Sequence, residues 1–107
     1  MELNQYQIVL VNLDPTMGSE MKKTRPCVII SPNEMNKYLQ TIVVAPMTSS
    51  SKKYPTRVAV KHNHTKGFVV LDQIRTIDKN RIVKIFENLS DIEIKNIKAV
   101  IRETYVV

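Results

Sequence analysis

Apolar residues recur over the first eighty positions in short runs rich in Val and Ile, and over the last twenty at helical spacing. The first pattern predicts strands, because branched side chains fit a pleated surface better than a helix. Tyr6 to Asn12 forms one such run, Pro26 to Ser31 a second around Val28-Ile29-Ile30, and Thr41 to Met47 a third, closed by Pro46. Arg57 to Lys61 alternates charged and apolar residues, Gly67 to Ile74 is again Val-rich, and Arg75 to Phe86 carries Ile77, Ile82, Val83 and Ile85 in bursts. A sheet of five to seven strands follows. The second pattern opens with Ser90 placed to cap, Glu93 three residues on to complete a capping box, and Leu89 able to staple to Ile94. Ile94, Ile97, Val100 or Ile101 and Tyr105 then share a face, with Lys95, Lys98 and Arg102 on the other side, so this helix lays an apolar stripe on the sheet. Short, closely spaced strands favour barrels or sandwiches over parallel βαβ units. The expected fold is mainly β with a C-terminal helix: one small, twisted, mostly antiparallel β-barrel over residues 1–107.

Two connections interrupt the apolar pattern. Ser49-Ser50-Ser51-Lys52-Lys53 is a polar loop, and Asp14 to Glu20 with the lysine-bearing stretch to Thr24 is a long one that starts on turn residues. Long loops in compact domains commonly carry function. No stretch approaches the roughly 18 apolar residues that span a bilayer, and the first residues lack the basic and apolar regions of a signal peptide. The expectation is a cytoplasmic protein without a membrane segment. Cys27 has no second cysteine with which to form a disulfide or a metal site, and its place in an apolar run reads as inert packing.

The net charge of +6 matters less than its location. Residues 22 to 66 hold nine Lys or Arg against one acid, Glu34, whereas residues 1 to 21 hold three acids and no base. A concentrated basic stretch is the footprint of a polyanion binder, since neutralised phosphates release condensed counterions. It is also compatible with a solvated surface that resists aggregation.

Several enzyme classes find no support. His62 and His64 lie among Lys61, Asn63, Thr65 and Lys66 with no nearby acid to orient a ring or complete a metal shell, so they read as a solvated hairpin tip. There is no H-E-x-x-H, P-loop, dinucleotide glycine pattern or nucleophile elbow, and two glycines cannot readily build a phosphate-cradling loop. No metal and no cofactor is expected. What remains is Arg25, at the junction of the long loop and an apolar strand. Pro26 restrains it to extended geometry, so its guanidinium projects from a rigid edge. Pro46-Met47-Thr48-Ser49 can present hydroxyls at the same end of the sheet. On these residues alone, an arginine in a surface ion pair and a threonine satisfying a turn are equally good descriptions.

Four segments bear a wider resemblance: Leu13-Asp14-Pro15-Thr16-x-Gly18-Ser19-Glu20, Arg25-Pro26-x-Val28-Ile29-Ile30-Ser31, Pro46-Met47-Thr48 and Asp72-Gln73-Ile74-Arg75-Thr76-Ile77-Asp78-Lys79. They resemble the successive signature blocks of the MazF/PemK toxin family, in the family's order and spacing. The resemblance implies the small SH3-like twisted β-barrel shared with PemK and the gyrase poison CcdB. It also implies a homodimer and a MazE-like antitoxin whose acidic, disordered tail occludes the active site. The implied activity is metal-independent cleavage of single-stranded RNA, often mRNA, by attack of the ribose 2′-hydroxyl, giving 2′,3′-cyclic phosphate and 5′-hydroxyl ends.

Carried over residue by residue, Arg25 and Thr48 match the catalytic positions of several chromosomal members. Met17, Ser19, Glu20, Asp72 and Gln73 match positions that contact RNA. Plasmid-borne relatives use a histidine where this chain has Ser19 and an arginine where it has Val70, while Asp72 retains the acid; their acid–base scheme does not transfer intact. Asp72 reads equally as a structural hydrogen-bond acceptor.

Two other functions fit the same fold. A CcdB-like gyrase poison would place its determinant in a Trp-Gly-Ile ending, whereas this chain ends Thr104-Tyr105-Val106-Val107 and has no tryptophan. A basic nucleic-acid-binding module without turnover would satisfy charge and fold as well.

Overall fold

Apolar residues on both faces of the central strands dictate a sheet covered on both sides. A computed structural model describes residues 2–13, 24–50, 52 and 54–107. Its strands are β1 (Gln7–Asn12), β2 (Thr24–Ile29), β3 (Thr41–Thr48), β4 (Arg57–His62), β5 (Thr65–Val70), β6 (Arg75–Asp78) and β7 (Ile82–Asn88), with helices α1 (Asn33–Tyr38) and α2 (Asp91–Tyr105). Every described strand pair is antiparallel. The hydrogen-bonded order is β4-β5-β3-β2-β1-β7, with β6 also on β3, and the sheet curls into a half-barrel.

Period-two alternation divides the core in two. Ile8, Val28, Ala45 and Met47 face one cluster, together with Val58, Val60, Leu71 and Ile97; Val9, Val11, Cys27, Ile29, Ile42 and Val44 face the other. Burial of Cys27 pushes its thiol up to about 12, so it stays protonated and inert, as its apolar setting implies. β3 joins the two parts of the sheet. Thr41 to Val44 pairs with β6, Val44 to Pro46 with β2, and Met47 and Thr48 turn to pair with β5.

The C-terminal helix forms where the capping box places it, with Ser90 Oγ accepting from the Glu93 N–H and Glu93 Oε1 accepting from the Ser90 N–H. Ile97 is fully buried, and Ile94, Val100 and Ile101 pack around it. Lys95, Lys98 and Arg102 are exposed. Glu93 has a second bond outside the helix: its Oε2 accepts from the Lys61 N–H at 2.7 Å and ties α2 to β4. Among the described residues, no helix is long and apolar enough to cross a membrane.

Two local features depart from the apolar pattern. Tyr6 takes φ 67°, so β1 begins at Gln7 instead of Tyr6. Helix α1 is absent from the sequence expectation because it is not held by an apolar stripe. Its buried Asn36 accepts from Ser31 Oγ and donates to the carbonyls of Ser31, at 2.9 Å, and Leu3, at 3.3 Å. A polar residue at such a position carries no periodic signal, although burial makes its hydrogen bonds costly to lose.

Candidate active site

The first bank of the site follows from the β2–β3 pairing. Pro26 fixes extended backbone before the buried Cys27-Val28-Ile29, and Arg25, opposite Val11 of β1, remains exposed at the start of β2. Thr48 sits where β3 turns from one part of the sheet to the other. Its Oγ1 accepts from the Ser50 N–H at 3.2 Å, which leaves the hydroxyl proton available to a ligand. The strand beside it must be glycine-thin: a Cβ on Gly67 would lie 3.2 Å from the Thr48 carbonyl oxygen.

Arg25 and Thr48 share one groove of about 300 Å³ with Met47 on the same bank and His62, Lys66 and Gly67 on the other. No carboxylate among the described residues lines it. Arg25 and Lys66 thus set a positive field on a concave surface, where charge of one sign attracts phosphates most effectively.

The second bank corrects the reading of the histidines. His62 and His64 do belong to a hairpin: Asn63 and His64 take φ 51° and 62°, the two-residue turn whose positive φ values match the twist of β4 and β5. His64 is exposed at the tip, but His62 is the last paired residue of β4, with only 12% of its side chain accessible. An acid does orient it. Glu87 Oε1 on β7 lies 2.8 Å from His62 Nδ1, and the imidazole meets the Phe86 ring edge-on at 4.6 Å between centroids. The hydrogen bond from His62 holds the Glu87 carboxyl below its ordinary range. Glu87 lies 25 residues from His62 in the chain, so local sequence could not pair them.

The remaining expected site residues fall elsewhere. Asp72 and Gln73 are exposed on a 3₁₀ turn, Leu71–Gln73, and do not line the groove; Asp72 Oδ1 accepts from Thr56 Oγ1 at 2.8 Å. Val70, where plasmid-borne relatives carry arginine, is buried. Met17, Ser19 and Glu20 lie outside the described residues. Among the described residues, no three His, Cys, Asp or Glu side chains gather into a set able to hold a metal ion.

Known proteins share both the sequence and the architecture. The profile of the family described as PemK-like, MazF-like toxin of type II toxin-antitoxin system matches residues 4–105. Endoribonuclease MazF of Staphylococcus saprophyticus is 37% identical over 101 residues, covering 89% of this chain and 84% of that protein. Among solved structures, MazF of Deinococcus radiodurans superposes with a TM-score of 0.79 at 22% identity, covering 96% of both chains. A MazE–MazF complex of the same organism gives 0.81 at 23% identity, covering 96% and 95%. A mycobacterial endoribonuclease in complex with its cognate antitoxin gives 0.81 at 20% identity, covering 94% and 92%.

Proposed function

This chain belongs to the PemK-like, MazF-like toxin family of type II toxin–antitoxin systems, and from that premise we propose that it is a toxin endoribonuclease which cleaves single-stranded RNA in the Arg25–Thr48 groove. The observation that carries this reading is the convergence of Arg25, Thr48 and Lys66 on one positive groove without a lining carboxylate among the described residues.

The reaction follows from what these side chains do best. The planar guanidinium of Arg25 holds two phosphoryl oxygens as negative charge grows on them, and Thr48 donates to another oxygen or positions the phosphate. Attack by the ribose 2′ oxygen gives a 2′,3′-cyclic phosphate and releases a 5′-hydroxyl. A guanidinium, which stays charged in proteins, is a poor base, so Arg25 stabilises charge and donates a hydrogen bond to the leaving oxygen. Met17, Ser19 and Glu20 are read as RNA contacts on the strength of the family pattern alone. Asp72 and Gln73, which lie outside the groove, are read as RNA contacts on the same family pattern.

Residues 1–107 are read as one domain of a cytoplasmic protein, and a homodimer is expected because a fold of this size has a marginal core. Its partner is a MazE-like antitoxin whose acidic, disordered segment is drawn to the basic groove. Purified protein incubated with a mixed RNA in excess EDTA tests the function: cyclic-phosphate ends are expected. Cleavage that stops in EDTA and returns with Mg²⁺ overturns the metal-independent mechanism. Absence of any cleavage favours a non-catalytic nucleic-acid binder or a CcdB-like gyrase poison.

A further inference from the structure

Two charged groups cannot complete the reaction, since neither Arg25 nor Lys66 is suited to take the 2′-hydroxyl proton. We propose that His62 is the base that removes this proton and that Glu87 is its positioning residue, an inference that rests on the Arg25–Thr48 groove being the cleavage site.

Four observations converge on His62. It lines the groove opposite Arg25 and Thr48, and most of its side chain is shielded from solvent. Glu87 engages Nδ1 at 2.8 Å, and a carboxylate there selects the tautomer with the proton on Nδ1. Nε2 then carries the free lone pair, with only a 3.5 Å contact from Asn63 Nδ2 at the outer limit of hydrogen bonding. The ring is fixed by Phe86, and the backbone before it by the Lys61–Glu93 hydrogen bond to α2. A carboxylate, an imidazole with one nitrogen left for substrate, and a neighbouring cation that neutralises phosphate form a complete proton-transfer set.

The step balances without an added reactant. As the 2′ oxygen bonds to phosphorus, its proton passes to Nε2. The bond from phosphorus to the 5′ oxygen breaks with its electron pair on that oxygen, whose charge Arg25 stabilises through its N–H donors while a solvent water protonates it. The imidazolium of His62 gives its proton to solvent, which balances the proton taken by the leaving oxygen, and nothing is oxidised or reduced. Among the described residues, the titratable and charged groups near the imidazole are Arg25 on β2, Lys61 beside it, Lys66 on β5, Glu87 and Lys84 on β7, Glu93 on α2 and His64 at the turn; Lys84 Nζ lies 5.2 Å over the Phe86 ring.

Single-turnover cleavage of a mixed RNA, with protein in excess and EDTA present, tests the assignment between pH 5 and pH 8.5. The wild-type rate is expected to rise with pH along an acidic limb and then level, as for a reaction that needs one group deprotonated. His62→Gln keeps a neutral polar side chain but cannot titrate. It is expected to lose about 10²-fold in rate and the acidic limb of the profile, with RNA affinity within about twofold of wild type. Glu87→Gln is expected to lose about tenfold, with the limb retained. Added imidazole is expected to restore part of the activity of His62→Ala and none to Arg25→Ala. A His62→Gln protein with the wild-type rate and limb overturns the proposal, as does a loss uniform in pH without rescue of His62→Ala. If Arg25→Ala also cuts normally, the groove itself is misassigned, which is a separate failure. Should the variants not fold, NMR of wild-type His62 decides: a proton on Nε2, or no response to a bound 2′-deoxy strand, rejects the base.

Discussion

The two banks of the groove are built differently. Arg25 and Thr48 stand on β2 and β3, interior strands paired on both sides and anchored by buried residues at Cys27, Val28 and Met47. His62 and Lys66 stand on the β4–β5 hairpin at the end of the sheet, which depends on more distant braces: Glu87 on β7, Glu93 on α2 and the close approach of Gly67 to Thr48. The first bank is held by its own strands alone, whereas the second adds to its buried Val58, Val60 and Val69 the braces of elements folded onto it. A group that stabilises transition-state charge must be held to a fraction of an ångström, which suits the first bank. The second is better suited to groups whose position other elements tune.

The largest test of this contrast is Arg25→Ala. If Arg25 acts only on charge that appears in the transition state, kcat is expected to fall by about 10²-fold or more while RNA binding weakens modestly. Arg25→Lys keeps the charge but loses the two-pronged fork, and is expected to remain well below wild type in single-turnover cleavage. Full activity in Arg25→Ala would remove the first bank from the mechanism.

Gly67→Ala probes the junction of the banks. The new methyl group would crowd the Thr48 carbonyl oxygen at 3.2 Å, so either the hairpin or the end of β3 must move. Overpacking of this kind costs about 1–3 kcal/mol, and a displaced Thr48 is expected to lower kcat several-fold. Thermal melting and single-turnover rates measure the two effects, and wild-type values in both would show that the spacing is not needed.

Lys66→Ala is expected to raise KM a few-fold with kcat nearly intact, and to reduce the slope of log K against log salt by about one, as for the loss of one phosphate contact. An unchanged salt slope would place the RNA backbone away from the hairpin. Lys52, exposed on the polar loop, is expected to act in the same direction.

The smallest effect concerns the brace between β4 and β7. The folded Glu87 carboxyl titrates below its ordinary range, so its ionised form contributes stability that is present at neutral pH and lost as pH falls through that lowered value. Glu87 is 55% accessible, so screening keeps the contribution small. Melting curves of wild type and Glu87→Gln between pH 7 and pH 3 are expected to converge at the acid end; a gap that widens there would reverse the sign.

Local order along the chain determined most of the strands, the capping box at Ser90 and Glu93, the burial of Cys27 and the strand-edge setting of Arg25, because each depends on residues within a few positions of one another. The strand ends are less legible: Tyr6 adopts a left-handed conformation, and the stretch from Arg75 to Phe86 divides into β6 and β7 around a 3₁₀ turn. Family resemblance paired Arg25 with Thr48, and folding brings both into one groove. Only the tertiary structure decided the rest. It moved His62 from an expected solvated tip to the groove wall, gave it a carboxylate from 25 residues away, and made the capping residue Glu93 a tie to β4. Asp72 was given to Thr56 in the same way. Contacts of this kind depend on which strands become neighbours, and hydrophobic periodicity fixes the face a residue takes without fixing the strand it will meet.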